Sequence, residues 1–171
     1  MSKTIFLKLF FILLFGMPKI GTAQTKDEDI RLKVLRKNSI GKEFVFGKWD
    51  ERKWDKIEGT ETHLTYLGSV KTQKGKTYKI MNSVWIWGLS CRATNRILIF
   101  NGKNQYIGNY YVTTETNLPT ELKNGILIFR NTDPECNKRI ISKVSLKNGL
   151  PITIFTECKN GYGDSFTFEG D

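Results

Sequence analysis

Residues 77–113 have the sequence TYKIMNSVWIWGLSCRATNRILIFNGKNQYIGNYYVT, which is dense in β-branched and aromatic residues. Such a composition is typical of strands, and it predicts three of them, at Thr77–Trp87, Arg96–Phe100 and Gln105–Thr113. Asn101-Gly102 separates the last two strands, and Asn-Gly is the preferred dipeptide of a tight hairpin turn. This part of the chain therefore predicts consecutive antiparallel strands.

The same pattern continues on both sides of this run. Short stretches bounded by turn residues predict six more strands, at Glu43–Phe46, Thr62–Lys71, Gly125–Arg130, Arg139–Leu146, Ile152–Thr156 and Ser165–Phe168. The longest connection, Thr114–Asn124, contains Pro119 and predicts one helical turn after it. About eight to nine short strands indicate a mainly β domain, either an antiparallel sandwich or a small barrel.

Residues 1–23 have the features of a secretory signal peptide. Two lysines precede an uncharged apolar run, residues 9–17, and small residues up to Ala23 suit a cleavage site. The run is too short to span a bilayer, which takes about 20 apolar residues. We therefore expect a bacterial secreted or periplasmic protein, whose mature part, residues 24–171, forms one domain without a membrane span.

One N-terminal α-helix is predicted from about residue 26 to residue 37. Thr25 and Glu28 have the spacing of a capping box, acidic side chains follow at the N-terminal end, and basic ones lie at the C-terminal end. The apolar side chains form a modest stripe, made by Ile30, Val34 and Leu35. Because the stripe lacks an aromatic residue, packing against the sheet is favoured over binding to a membrane surface.

Three cysteines occur in a chain that is predicted to enter an oxidising compartment. Cys136 and Cys158 lie at similar distances on either side of the predicted turn at Asn148-Gly149. A regular hairpin between the two flanking strands would therefore bring them opposite each other. We predict a Cys136–Cys158 disulfide, worth about 3 kcal/mol in the chain-entropy estimate. Cys91 is left without a partner in this pairing. It is either buried and unpaired, or it replaces Cys136 or Cys158 in the disulfide.

The charge balance is basic, with 27 Lys and Arg against 17 Asp and Glu and a net charge of +10. The predicted signal peptide carries three lysines and no acidic residue, so the mature chain keeps a net charge of +7. Such a charge favours anionic partners outside the cytoplasm, such as an acidic polysaccharide of the cell envelope or released nucleic acid, and of these we expect an envelope polymer rather than nucleic acid. A basic hairpin tip supplies the candidate binding residues Lys71, Lys74, Lys76 and Lys79. Alternatively, these lysines protect a sheet edge from pairing with another chain.

Trp85 and Trp87 are two residues apart, so they face the same side of a strand, while Val84 and Ile86 face the other side. If Val84 and Ile86 face the core, the two tryptophans are exposed and form a stacking platform for sugar rings or bases. If the tryptophans face the core instead, they are packing residues, because tryptophan is usually highly buried. Both tryptophans are therefore candidate ligand-binding residues with a structural alternative.

Recognisable catalytic and cofactor motifs do not occur in the sequence. There is no phosphate-binding loop, no Gly-rich dinucleotide fingerprint, no His-Glu-x-x-His and no Gly-x-Ser-x-Gly. His63, the single histidine, is predicted to be a structural or surface residue rather than a general base. The oxygen-rich loop Asn131–Asn137 is interpreted as local turn chemistry rather than as a calcium loop. No catalytic residue, cofactor or metal ligand is therefore predicted.

Two functions remain open. The favoured one is a non-catalytic binding or envelope-associated domain that uses the basic hairpin and some of the tryptophans on an anionic or sugar polymer. The alternative is a small secreted hydrolase that acts on a polysaccharide or another envelope polymer through carboxylates which the sequence does not pair. Two carboxylates about 5–10 Å apart in one cleft would favour the hydrolase.

Overall fold

The structure, a computed structural model, describes residues 22–170 of the chain. Within this range it contains one α-helix and ten strands: α1 Thr22–Lys37, β1 Glu43–Gly47, β2 Glu61–Lys71, β3 Thr77–Trp87, β4 Arg92–Asn101, β5 Tyr106–Val112, β6 Glu121–Lys123, β7 Ile126–Arg130, β8 Ile141–Ser145, β9 Thr153–Lys159 and β10 Tyr162–Gly170. Three single-turn 3-10 helices, Glu51–Lys53, Ile57–Gly59 and Glu115–Asn117, lie in the connections. No helix in this range is long and apolar enough to cross a membrane. Residues 1–21 of the predicted signal peptide lie outside the described residues.

Two antiparallel sheets make a β sandwich. Seven strands form the larger sheet, in the order β1-β2-β3-β4-β5-β10-β9, and three strands form the smaller sheet, in the order β6-β7-β8. Strands β2 to β5 follow one another as antiparallel neighbours, and β3 has the bounds that the sequence predicts. The mainly β class is therefore confirmed, and the sandwich is the architecture that fits.

The core lies on both faces of the larger sheet. Between the two sheets, Ile97, Tyr110 and Leu127 are each 0 % exposed. On the other face, which we call the outer face, α1 packs through Val34 and Leu35. The sheet residues under the helix are Leu64, Tyr66, Met81, Leu98 and Phe100. The domain therefore has three layers, and the apolar stripe of α1 packs on the sheet as predicted.

The helix α1 begins earlier than the sequence predicts. It already includes Thr22, so Thr25 lies inside the helix rather than at its start. The C-terminal end agrees with the prediction, because the helix stops at Lys37. Asn38 follows with a positive φ of 50°, a backbone conformation that Asn tolerates better than most residues.

The segment after Pro119 is a strand, and the predicted helical turn there is wrong. Glu121–Lys123 forms β6 and pairs with β7. Asn124 and Gly125 have φ values of 52° and 75°, as a two-residue hairpin turn requires. The strand is preferred because Leu122 packs against the core between the sheets, whereas one isolated helical turn is unstable by itself.

The predicted hairpin of the strands around Asn148 does not form. β8 belongs to the smaller sheet and β9 to the larger one, so the chain crosses from one sheet to the other between them. Leu146 is fully buried and Leu150 packs on the same cluster, so this crossing fills space in the core. Burial of the connection therefore outweighs the local tendency to form a hairpin.

The Cys136–Cys158 disulfide is present as predicted, with its two Cα atoms 4.6 Å apart. Cys136 lies in the loop between β7 and β8, and Cys158 lies in β9. Asn137 N also donates to Cys158 O at 2.9 Å. The predicted pair is right, but the bond joins the two sheets rather than closing one hairpin. Cys91 is a free thiol, and it is exposed rather than buried.

Candidate functional site

Trp85 and Trp87 lie on the outer face of the larger sheet. Val84 is 7 % exposed and packs in the core between the sheets together with Ile86. Alternation along β3 therefore places both tryptophans on the opposite face. Both are half-buried, and neither belongs to either of the two core clusters of the described residues. Of the two arrangements that the sequence left open, the structure has Val84 and Ile86 in the core.

The two indoles stack on each other rather than lying side by side as a flat platform. Their ring centroids are 5.4 Å apart and their planes differ by 20°, which is the offset-stacked geometry that aromatic pairs prefer. Trp87 Nε1 donates to Thr94 Oγ1 at 3.0 Å, which holds that ring against β4. Each indole therefore covers one face of its partner, and a ligand can meet only the remaining face and the edges.

Arg96 and Tyr111 continue the outer face beside the tryptophans. Arg96 is the register partner of Ser83 on β3 and of Tyr111 on β5, so these three side chains form one row across three strands. Trp85 follows two residues after Ser83, which makes it a diagonal neighbour of Arg96 at about 7–8 Å. Tyr111 is 48 % exposed. Aromatic and basic side chains are thus adjacent on an open sheet face.

The basic hairpin lies at the other end of β3. Three of its lysines are exposed around the turn between β2 and β3: Lys71, Lys74 and Lys76. Lys79 is half-buried, and its Nζ donates to Asn104 Oδ1 at 2.6 Å. At about 3.3 Å per residue, Lys79 and Trp85 are about 20 Å apart along the strand. The predicted lysines and the predicted tryptophans therefore do not form one site.

A cluster of titratable groups surrounds His63. Its Nδ1 is 3.2 Å from Glu43 Oε1 on β1, and its Nε2 is 2.6 Å from Glu61 Oε1 on β2. Burial acts to lower the pKa of His63, but the hydrogen bonds to Glu61 and Glu43 outweigh it and raise the pKa above its usual value. The bond to His63, followed by one from the Trp49 amide, lowers the pKa of Glu61. The cluster therefore favours a protonated imidazole between two carboxylates.

His63 and Glu43 line a cleft of about 340 Å³. The larger sheet forms one wall with residues that include Asn82, and the segment before β6 forms the opposite wall. Asn82 Nδ2 donates to Pro119 O at 2.8 Å and so joins the two walls. Glu43 and Glu61 lie on opposite nitrogens of one ring, so they cannot share a metal ion with His63. Among the described residues no group of three His, Cys, Asp or Glu could hold a metal ion.

The sequence carries only part of the signal for this cluster. Glu61 directly precedes the predicted strand Thr62–Lys71. Because β2 begins one residue earlier than predicted, Glu61 and His63 lie on one face. Glu43 lies on another strand, β1. It reaches His63 because the register of β1 on β2 places Val45, two residues after Glu43, opposite His63. Arg96 and Tyr111 were not predicted as site residues, because only strand pairing brings them beside Trp85.

We expect His63 to titrate above pH 6.5, its usual value, and the protein to lose stability as pH rises through that pKa. A group whose pKa is higher in the folded state adds stability that is complete below the unfolded-state pKa and is lost above the folded-state pKa. NMR titration of the single imidazole measures the pKa directly. His63→Gln should remove the dependence of unfolding free energy on pH between about 6 and 8. A pKa below 6.5 would contradict the geometry.

The oxygen-bearing side chains of the Asn131–Asn137 loop form hydrogen bonds within and next to the loop and to β9. Asp133 Oδ1 accepts from the amide of Glu135, and Asn137 Oδ1 accepts from the amide of Arg139. Asn131 Nδ2 donates to the carbonyl of Glu157 at 2.9 Å, among other backbone carbonyls. These are the local backbone bonds that Asn and Asp form in turns.

Comparisons with known proteins do not assign the chain to a family or to a function. No protein-family model matches the chain, and neither does any curated protein or solved structure. The class that the fold defines is an antiparallel β sandwich with a helix on the outer face of its larger sheet. Function is therefore inferred from the geometry of three regions: the aromatic stack, the His63 cleft and the basic hairpin.

Proposed function

We propose that the protein is a non-catalytic binding domain for a sugar polymer, and that the stacked pair Trp85 and Trp87 is its contact surface. The observation that carries this proposal is the position of two adjacent, only partly buried indoles outside both core clusters. Large aromatic side chains are normally buried, and contiguous exposed apolar surface marks sites of interaction. The apolar C–H faces of sugar rings are suited to packing on an indole.

The proposed location is the periplasm or the cell exterior. The predicted signal peptide leads there, and the Cys136–Cys158 disulfide is of the kind that persists in oxidising compartments. A polymer of the cell envelope or of the surrounding medium is the ligand available in that location. The basic charge of the chain agrees with an envelope polymer that carries acidic groups.

A hydrolase remains the second candidate, because Glu43 and Glu61 flank one imidazole beside a cleft. A single ring between them holds these carboxylates at a spacing similar to the ~5–10 Å of glycosidase pairs. A glycosidase, however, keeps one carboxyl group protonated, which requires a raised pKa. Hydrogen bonds from His63 and from the Trp49 amide lower the pKa of Glu61 instead. Binding without hydrolysis is therefore better supported.

Trp87→Ala is expected to weaken binding to the target polysaccharide at least tenfold while the domain stays folded. The indole lies outside both cores, so its loss should cost less than the ~3–5 kcal/mol of a core tryptophan. Affinity electrophoresis against peptidoglycan, neutral glucans and uronic-acid polymers measures binding, and thermal unfolding measures stability. The matched control is Trp54→Ala, which removes a 50 % exposed indole elsewhere and should leave affinity unchanged. Equal binding by Trp87→Ala and the natural chain would refute the proposal.

A further inference from the structure

One basic side chain lies in register with a tryptophan on the outer face, and a second basic and an aromatic side chain lie in the row of Ser83, two residues before Trp85. Trp87 is the register partner of Arg92, and Arg96 is the register partner of Tyr111. Partners in register share a face of the sheet. We call this group the outer-face strip, and its members are Trp85, Trp87, Arg92, Arg96 and Tyr111.

The strip runs across the strands rather than along one of them. Neighbouring strands are about 4.8 Å apart, so β3 and β5 are separated by about 10 Å. The outer face continues over β10 to β9, where Phe155 is 48 % exposed opposite Ser165. A polymer of several sugar rings that crosses the strands could therefore meet aromatic side chains at three places: the tryptophan stack, Tyr111 and Phe155.

The end of the strip beside the tryptophans is basic. Arg92 Nε donates to Ser90 Oγ at 3.2 Å. No described carboxylate lies within salt-bridge distance of Arg92 or Arg96. The planar guanidinium group matches a carboxylate with two parallel hydrogen bonds. The carboxylate of Glu169 on β10, two strands away from β4, accepts from Asn109 Nδ2 at 3.4 Å.

We propose that the outer-face strip binds an acidic polysaccharide, with uronic-acid carboxylates on Arg92 and Arg96 and sugar rings on the tryptophan stack and Tyr111. The inference rests on the proposed function and narrows its ligand from sugar polymers in general to anionic ones. Single-stranded nucleic acid also combines charge with flat rings, but it requires a basic groove along its backbone. The exposed lysines lie beyond Lys79 at the other end of β3, more than about 20 Å from Trp85, so the strip lacks such a groove.

The test compares polygalacturonate, alginate and hyaluronan, each beside its carboxyl-reduced form, which keeps the rings and removes the charge. We expect at least one acidic polymer to bind ten times more tightly than its reduced form, with an affinity that falls as salt is added. Arg96→Gln should lower the affinity for that polymer to the value of the reduced form. Arg139→Gln, which removes an equal charge from an exposed loop position, should have no effect.

The possible outcomes separate this inference from the proposed function. Equal binding of acidic and reduced polymers, lost in Trp87→Ala, would overturn the inference and leave the proposed function standing. Binding that is lost in Arg96→Gln but kept in Trp87→Ala would show that the polymer does not contact the tryptophan stack. Binding to none of the six polymers would overturn the inference, as would tighter binding to single-stranded oligothymidylate than to any of them.

Discussion

Leu98→Ala is expected to destabilise the protein by about 2–5 kcal/mol. Leu98 is 1 % exposed and lies on β4 beneath α1, in the cluster with Val34 and Leu35. Removing its branched end leaves a cavity between helix and sheet, and close-packed interiors relax only partly around such a cavity. Denaturant unfolding followed by circular dichroism measures the change in the free energy of unfolding.

The matched control is Leu89→Ala, because Leu89 is 64 % exposed in the turn between β3 and β4. This substitution should change stability by less than about 0.5 kcal/mol, as is usual for surface positions. Amide hydrogen exchange gives a second readout, since the amides of α1 should exchange faster in Leu98→Ala than in Leu89→Ala. A cost below about 1 kcal/mol for Leu98→Ala would show that α1 does not pack as described.

Breaking the Cys136–Cys158 disulfide is expected to cost about 3 kcal/mol. The bond closes a loop with a sequence separation of 22, and it ties the loop before β8 to β9 at the edge of the larger sheet. Replacing both cysteines by serine in a Cys91→Ser background prevents mispairing with the free thiol. Differential scanning calorimetry and chemical denaturation both measure the loss.

Cys91→Ser alone is the control, and it should leave stability within about 0.5 kcal/mol because the thiol is exposed and free. Peptide mapping without reduction should join the peptides of Cys136 and Cys158 and leave Cys91 open to alkylation after unfolding. A cross-link to Cys91 would disprove the pairing. Unchanged stability in the variant that lacks the bond would show that Asn131 and the backbone hold the loop unaided.

Local patterns were sufficient for most of the strands. In β3, strong β-forming residues between two turn sequences predicted the bounds Thr77–Trp87, and the two-residue period predicted that Trp85 and Trp87 share a face. The strand bounds and the shared face depend only on a few neighbouring residues, so they do not depend on how the rest of the chain folds. The short strand β6 could not be recognised in this way, because it owes its stability to pairing with β7 and to the burial of Leu122.

The candidate sites depended much more on distant contacts. The cluster around His63 was not predicted: the two-residue spacing from Glu61 to His63 carries part of its signal, and the approach of Glu43 requires the register of β1 on β2. The sequence named the four lysines and the two tryptophans as candidates, and the predicted strand Thr77–Trp87, which the structure confirms, already separates the basic turn from the tryptophans. Arg96 and Tyr111 gained their place beside Trp85 only through the pairing of three strands.

By itself the sequence determined the mainly β class, the helix near the N-terminus and the partners of the disulfide, because strand period, helix stripe and cysteine placement are carried by nearby residues. Tertiary structure decided which face of β3 is buried, since both faces carry large apolar side chains that suit a core. The smaller sheet covers the face with Val84 and Ile86, and α1 covers only part of the other face. Trp85 and Trp87 remain only partly buried beside Arg96 because they belong to neither core cluster.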